Sequence, residues 1–196
     1  SSYSTNVLGR LAWVQYYGGN CTALGPPRTG CDKIQESYNY NVAGLMLGKR
    51  VRIIRGAANG ARSASWTYDG EGRMLRATYP SGTAYDHTYD TMGRLNTMQR
   101  VSTGAWIVSA TTYGVAGEVL SMAGMLNETR TYNAQFQLTR ITVPSTLDIQ
   151  YAYPSANNNG KLASQTDVLS GEQITYTYDA LNRLASAVTS DNPSVT

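Results

Sequence analysis

The residues best equipped for acid–base chemistry gather at Asp86, His87 and Asp90, in the stretch YDHTYD at 85–90, and His87 is the only histidine of the chain. An imidazole between carboxylates could serve as a general base. On a strand, however, side chains alternate, so His87 points away from Asp86 and Asp90. His87 also stands where Tyr38, Trp66 and Tyr176 stand in similar stretches, so it reads as a replaced aromatic. A glycosidase would need two carboxylates across a sugar-sized gap, and Asp69, Asp90 and Asp179 read as turn residues. No catalytic residue and no enzymatic activity are expected.

Cys21 and Cys31 bracket a Gly/Pro-rich insertion at 18–34. They most simply form a disulfide, which implies an oxidising compartment. Closing a loop of about 11 residues is worth roughly 2 to 3 kcal/mol. The alternative is a pair of free thiols. A zinc site needs about four N or S ligands, so neither a metal nor any other cofactor is expected. Lys49, Arg50, Arg52 and Arg55, with Arg62, form the one basic cluster, in a chain of net charge +3. Arg50 and Arg52 share one strand face while Val51 and Ile53 fill the other, the pattern of a half-buried strand. Nucleic-acid binding needs more positive charge than this. Trp13, Trp66 and Trp106 are candidate aromatics for stacking on sugar rings.

The elements that position these residues follow from a repeat. YTYDALNRL (176–184), WTYDGEGRM (66–74) and HTYDTMGRL (87–95) are close copies, and weaker ones begin at Tyr3, Tyr38, Thr111, Arg130 and Tyr151. Their third positions are Thr5, Tyr40, Tyr68, Tyr89, Tyr113, Tyr132, Tyr153 and Tyr178, with gaps of 35, 28, 21, 24, 19, 21 and 25 residues. Such a period marks a repeat architecture. Within each copy a β-branched and aromatic alternation reads as a strand. A turn follows, with Asp or Asn accepting from backbone N–H groups and Gly taking the left-handed position. The turn residues are Asn6 and Gly9, Asn41 and Gly44, Asp69 and Gly72, Asp90 and Gly93, Asn133, and Asp179 with Asn182. Gly114 and Pro154 start the two remaining turns. Asn182 in place of Gly fits, since Asn tolerates φ > 0. Each copy is therefore a β-hairpin, and about sixteen strands are expected.

The copies resemble the tyrosine-aspartate (YD) repeats of the RHS, teneurin and toxin-complex families, over nearly the whole chain. The resemblance implies an all-β fold, an elongated, twisted antiparallel sheet forming a segment of a spiral shell. It also implies a structural scaffold in a secreted or surface protein, extracellular and bacterial, that encloses a C-terminal toxin domain or presents a surface. The aspartate pair of the family's self-cleaving core is not found, so autoproteolysis is not carried over. Expected partners are the remaining repeats of a longer parent chain or an enclosed toxin domain. Two alternatives stand beside this: a carbohydrate or cell-surface binding module, and a fibre element that self-associates end to end through open strand edges.

Composition agrees: 15 Tyr against one Phe, 19 Gly, and 15 % charged residues suit a wet, Tyr-rich sheet. No apolar run is long enough to span a membrane as a helix. No linker divides the chain, so residues 1–196 read as one repeat domain of about eight hairpins. The chain does not begin with Met, carries no signal peptide, and ends in loop-like composition at 189–196. Both ends read as cut from something longer.

Overall fold

The computed structural model describes residues 3–18, 31–56 and 58–190, and among them all regular structure is β. Two compact units divide the chain. Unit 1, Ser1–Ala105, holds β1 (Trp13–Gly18), β2 (Asp32–Tyr40), β3 (Met46–Arg55), β4 (Ala58–Tyr68), β5 (Met74–Thr78), β6 (Ala84–Tyr89) and β7 (Leu95–Arg100). Unit 2, Trp106–Thr196, holds β8 (Trp106–Tyr113), β9 (Val119–Gly124), β10 (Glu128–Tyr132), β11 (Leu138–Val143), β12 (Leu147–Ala152), β13 (Ser164–Asp167), β14 (Gln173–Tyr178) and β15 (Leu184–Thr189). Within each unit strand order is chain order, pairing is antiparallel, and the strands touch only their sheet neighbours. Among the described residues fifteen strands form where about sixteen were expected, and Tyr3, Ser4 and Thr5 ahead of Asn6 belong to none.

Period-two alternation is visible in burial. In β14, Ile174, Tyr176 and Tyr178 are half-buried while Gln173, Thr175 and Thr177 are exposed. Among the described residues only three apolar side chains, Tyr38, Ala77 and Val143, are buried. Ala77, a small residue, is flanked in register by Trp66 of β4 and Tyr85 of β6. On the wetter face hydroxyls pair across strands, as in Thr88 with Thr97 (2.7 Å), Thr112 with Ser121 (2.6 Å) and Thr177 with Ser186 (2.6 Å).

Six hairpins carry the same β-bulge, between Asn39/Tyr40, Thr67/Tyr68, Thr88/Tyr89, Thr112/Tyr113, Thr131/Tyr132 and Thr177/Tyr178. Each time one extra residue of the returning strand goes unpaired opposite the repeat Tyr. A bulge bends its strand and raises the local twist. In these six hairpins it bends the returning strand beside the repeat Tyr at the turn end of the sheet.

Candidate functional site

The repeated chemistry of this chain is the Tyr-Asp turn, and the Asp90 turn displays it in full. The Asp90 N–H donates to Arg94 O (2.8 Å), and the Gly93 N–H donates to Asp90 O (3.0 Å). Asp90 Oδ1 accepts from the N–H groups of Met92 and Arg94, both at 2.9 Å, and Oδ2 accepts from Arg94 Nε at 2.8 Å. Gly93 sits at φ 77°, a conformation cheap for glycine. The same set holds Asp69 with Glu71, Arg73 and Gly72, and Asp179 with Leu181, Arg183 and Asn182. At Asp90 and Asp179 the backbone N–H groups of Arg94 and Arg183, then their guanidinium groups, hold the carboxyls below their ordinary range. At Asp69 burial pushes upward, and the Arg73 hydrogen bonds outweigh it. With their lone pairs occupied, these carboxylates are turn clamps.

Consecutive turns are joined through the Tyr hydroxyls. Tyr40 donates to Leu11 O (3.1 Å), Tyr68 to Met46 O (2.9 Å), Tyr89 to Met74 O (2.8 Å), Tyr132 to Val119 O (2.9 Å) and Tyr153 to Leu138 O (3.1 Å). Every acceptor is the residue that follows the Arg position of the preceding copy. A phenylalanine ring would pack but could not cap that carbonyl, which accounts for the scarcity of Phe.

The Arg position supplies a second link forward. The Arg10 guanidinium lies 5.7 Å from the Tyr40 ring centre, Arg73 5.1 Å from Tyr89, and the Lys161 ammonium 4.8 Å from Tyr178. These are cation–π distances. The two arginines also lie over the next turn's glycine: a Cβ on Gly44 would lie 2.6 Å from Arg10 Nη2, and one on Gly93 3.3 Å from Arg73 Nη1. A side chain there would displace the arginine from its place over the turn, and the left-handed backbone favours glycine in addition. Gln137 continues the ladder by exchanging two hydrogen bonds with Asn158 (2.7 and 3.0 Å).

Degraded copies keep the chemistry with other side chains. Asn133 Oδ1 accepts from the N–H groups of Gln135 and Gln137 (3.0 Å each), and Asn133 Nδ2 donates to Gln137 Oε1 (2.7 Å), a neutral version of Asp and Arg. Asn41 Oδ1 accepts from Leu45 N–H (2.9 Å). Asn6 departs from the set: its own φ is 51° and its amide donates across to Tyr40 O (2.8 Å). At Gly114 no carboxylate exists in the Asp position, and Glu118 supplies one from the Arg position. A Cβ on Gly114 would lie 1.9 Å from Glu118 Oε1, and Oε2 accepts from Ala116 N–H (2.9 Å). Gly114→Asp alone should lower the melting temperature by crowding two carboxylates, and Glu118→Arg alone by removing the N–H acceptor. The double substitution recreates the Asp90 and Arg94 arrangement and should recover stability, with a coupling of about 1 kcal/mol. Additive losses in thermal melts would refute the exchange.

The other sequence candidates are placed as follows. Asp86 accepts from Arg76 of the neighbouring strand (2.5 and 2.8 Å), and its carboxyl is held low chiefly by that guanidinium. His87 lies opposite Met98 with its Nδ1 buried and without a hydrogen bond, so Asp86, His87 and Asp90 do not assemble. Among the described residues no His, Cys, Asp and Glu gather to hold a metal ion. Trp13 is 56 % exposed beside a cavity, Trp66 is half-buried opposite Ala77, and Trp106 is exposed at the start of β8. Cys31 is not a free thiol, and Cys21 lies outside the described residues. No helix among the described residues is long and apolar enough to cross a membrane.

Solved structures with this fold include a Photorhabdus luminescens Tc holotoxin pore, with TM-score 0.64 and 19 % identity over 80 % of this chain. A TcdB2–TccC3 complex without its hypervariable C-terminal region gives 0.65 and 19 %, again over 80 % of this chain. The TcdB2–TccC3–Cdc42 structure gives 0.62 and 17 % over 89 %. The chain spans only 9 %, 9 % and 12 % of those three chains. No curated protein matches the sequence. The family described as Teneurin YD-shell matches residues 28–193, the stretch that carries seven of the eight turns described above. The chain belongs to the Teneurin YD-shell family.

Proposed function

We propose that this chain is a non-catalytic wall segment of a larger, secreted or cell-surface shell protein, bacterial and extracellular, whose shell encloses a toxin domain or presents a surface. Residues 1–196 act in it as one repeat domain. The carrying observation is a sheet whose apolar side chains stay largely uncovered. Among the described residues three are buried, while Leu8, Val42, Met92, Val115 and Leu181 project from the turns at 72 % exposure or more. A sheet with so little core of its own draws stability from lateral neighbours and from what it faces. Electron microscopy of the chain with its flanking segments tests this. A hollow particle is expected, and a solid fold or an open ribbon would refute it.

Two finer features belong to the same proposal. A Cys21–Cys31 bridge closes the insertion, and intact mass with alkylation before and after reduction checks it: two thiols alkylated only after reduction are expected. Among the described residues, β1 pairs on one side only, with β2. That open edge favours pairing with a further strand, so light scattering should show association that grows with concentration. A monomer at every accessible concentration would remove the self-assembly reading.

A further inference from the structure

The face of unit 1 that carries Trp13 also carries a cluster that the scaffold does not use. Register places Trp13, Ser37, Arg50 and Ser63 in one cross-strand row, and Gln15, Gln35, Arg52 and Ala61 in the next. Directly paired residues share a face, so Trp13, Arg50 and Arg52 project to the same side. The segment at 3–12 walls this face. Tyr3 lies over β3, where Gly48 leaves it room: a Cβ there would sit 2.8 Å from the Tyr3 hydroxyl. The segment is pinned by Ser4 Oγ to Ala12 O (3.0 Å), Asn6 Nδ2 to Tyr40 O (2.8 Å) and Tyr40 N–H to Thr5 O (3.2 Å). Between wall and sheet lies a cavity of about 540 Å³, lined among others by Tyr3, Trp13, Gln35, Ser37, Arg50 and Arg52.

The charges in this hollow differ from those of the paired arginines elsewhere in the sheet. Arg55, Arg76, Arg130 and Arg140 each pair with a carboxylate on their own or a neighbouring strand. Arg50 and Arg52 have no carboxylate partner among the described residues. Arg50 lies 6.0 Å from the Tyr3 ring, and Arg52 spends its Nε on the neutral Asn59 Oδ1 (2.7 Å). Two guanidinium groups about 7 Å apart along one strand face therefore open into a cavity of ligand size with their charge uncompensated. An exposed indole beside them offers a flat apolar platform, and Ser37 and Gln35 offer hydroxyl and amide groups between the two.

We propose that this cavity binds a carboxylated sugar, a saccharide bearing a sialic or uronic acid. Trp13 stacks on the apolar face of a pyranose ring, Arg50 and Arg52 hold the carboxylate through their forked N–H groups, and Ser37 and Gln35 meet the ring hydroxyls. The indole and the hydroxyl partners favour a sugar over an acidic peptide, which would use the charges and leave Trp13 idle.

Calorimetric titration of the chain with sialyllactose, sulfolactose, lactose and an oligoglutamate peptide tests the proposal, since the three sugars share one neutral core. Sialyllactose should bind with a Kd of about 0.1 to 1 mM and lactose at least about tenfold more weakly, the difference being the charge-assisted contacts. Trp13→Ala should weaken every sugar, while Arg50→Ala and Arg52→Ala should each remove the preference for sialyllactose over lactose. Arg50→Lys, which keeps charge and volume, should retain part of it. Arg62→Ala, on the opposite face across from Val51, should bind as the parent chain does. Circular dichroism and melting of each variant separate lost binding from lost fold. No saturable binding, equal binding of sialyllactose and lactose, preference for sulfolactose, or equal binding of oligoglutamate would each overturn the assignment.

Discussion

Gly124→Ala should lower the melting temperature by about 10 °C, the equivalent of about 3 kcal/mol in a domain of this size. A Cβ on Gly124 would lie 2.2 Å from the Ile107 carbonyl oxygen, 2.8 Å from its carbon and 2.9 Å from Val108 Cα. These are backbone atoms, so no side chain can swing away to relieve the collision. The approach arises because β8 bulges here: Val108 faces Gly124 and Ala110 faces Ala123, leaving Ser109 unpaired. The Met125 N–H also donates to Ile107 O (3.2 Å) and holds the two segments together. Gly70→Ala is the control. A Cβ on Gly70 would meet nothing within 4 Å, and its φ lies outside the left-handed region, so that melt should move little or rise slightly. Differential scanning calorimetry of the two variants decides it, and equal shifts would refute the close-approach argument.

Acid and alkali should each unfold the chain, with a stability plateau between about pH 5 and 9. Asp32, Asp86 and Asp148 are held below their ordinary range chiefly by Arg55, Arg76 and Arg140. Glu36 is held low first by the Tyr38 hydroxyl and then by Lys49, and Asp167 by the Leu169 N–H. The turn carboxyls of Asp69, Asp90 and Asp179 are lowered as well. A carboxyl whose folded pKa is depressed contributes stability above its unfolded value near pH 4, and that contribution is lost as pH falls through the folded value. On the alkaline side burial raises Tyr68 and Tyr153, and the Glu36 hydrogen bond followed by burial raises Tyr38. Their contribution is complete below about pH 10 and is lost as pH rises through the raised values. The chemistry is direct, because only a neutral phenol can donate to Met46 O or Leu138 O. Melting curves across pH measure both limbs, and a melting temperature that rose from pH 5 to pH 3 would refute the carboxylate argument.

The period of the Tyr-Asp copies by itself determined the β class, the hairpins, and the turns at Asp69, Asp90 and Asp179 with their glycine or asparagine. These features close within five residues, from Asp N–H to the carbonyl four positions on, so the local sequence contains every atom involved. Strand alternation likewise placed Arg50 and Arg52 on one face and Val51 and Ile53 on the other.

Contacts between copies were decided by the tertiary structure alone. The Tyr89 hydroxyl reaches Met74 O across 15 residues and Tyr40 reaches Leu11 O across 29, and which carbonyl is met depends on register, which the bulge shifts by one residue. Nothing in the composition around Gly124 separates it from Gly70. Its demand for a missing Cβ comes from a strand that departs from regular pairing nearby. At Gly114 the sequence shows a lost Asp, and within that same turn the carboxylate of Glu118 reaches the Ala116 N–H group. The cavity beside Trp13 has the same origin. Its residues are separated along the chain by 37 positions between Trp13 and Arg50 and 39 between Trp13 and Arg52, with the insertion at 18–34 in between, and only the pairing of β1, β2 and β3 sets them in adjacent rows.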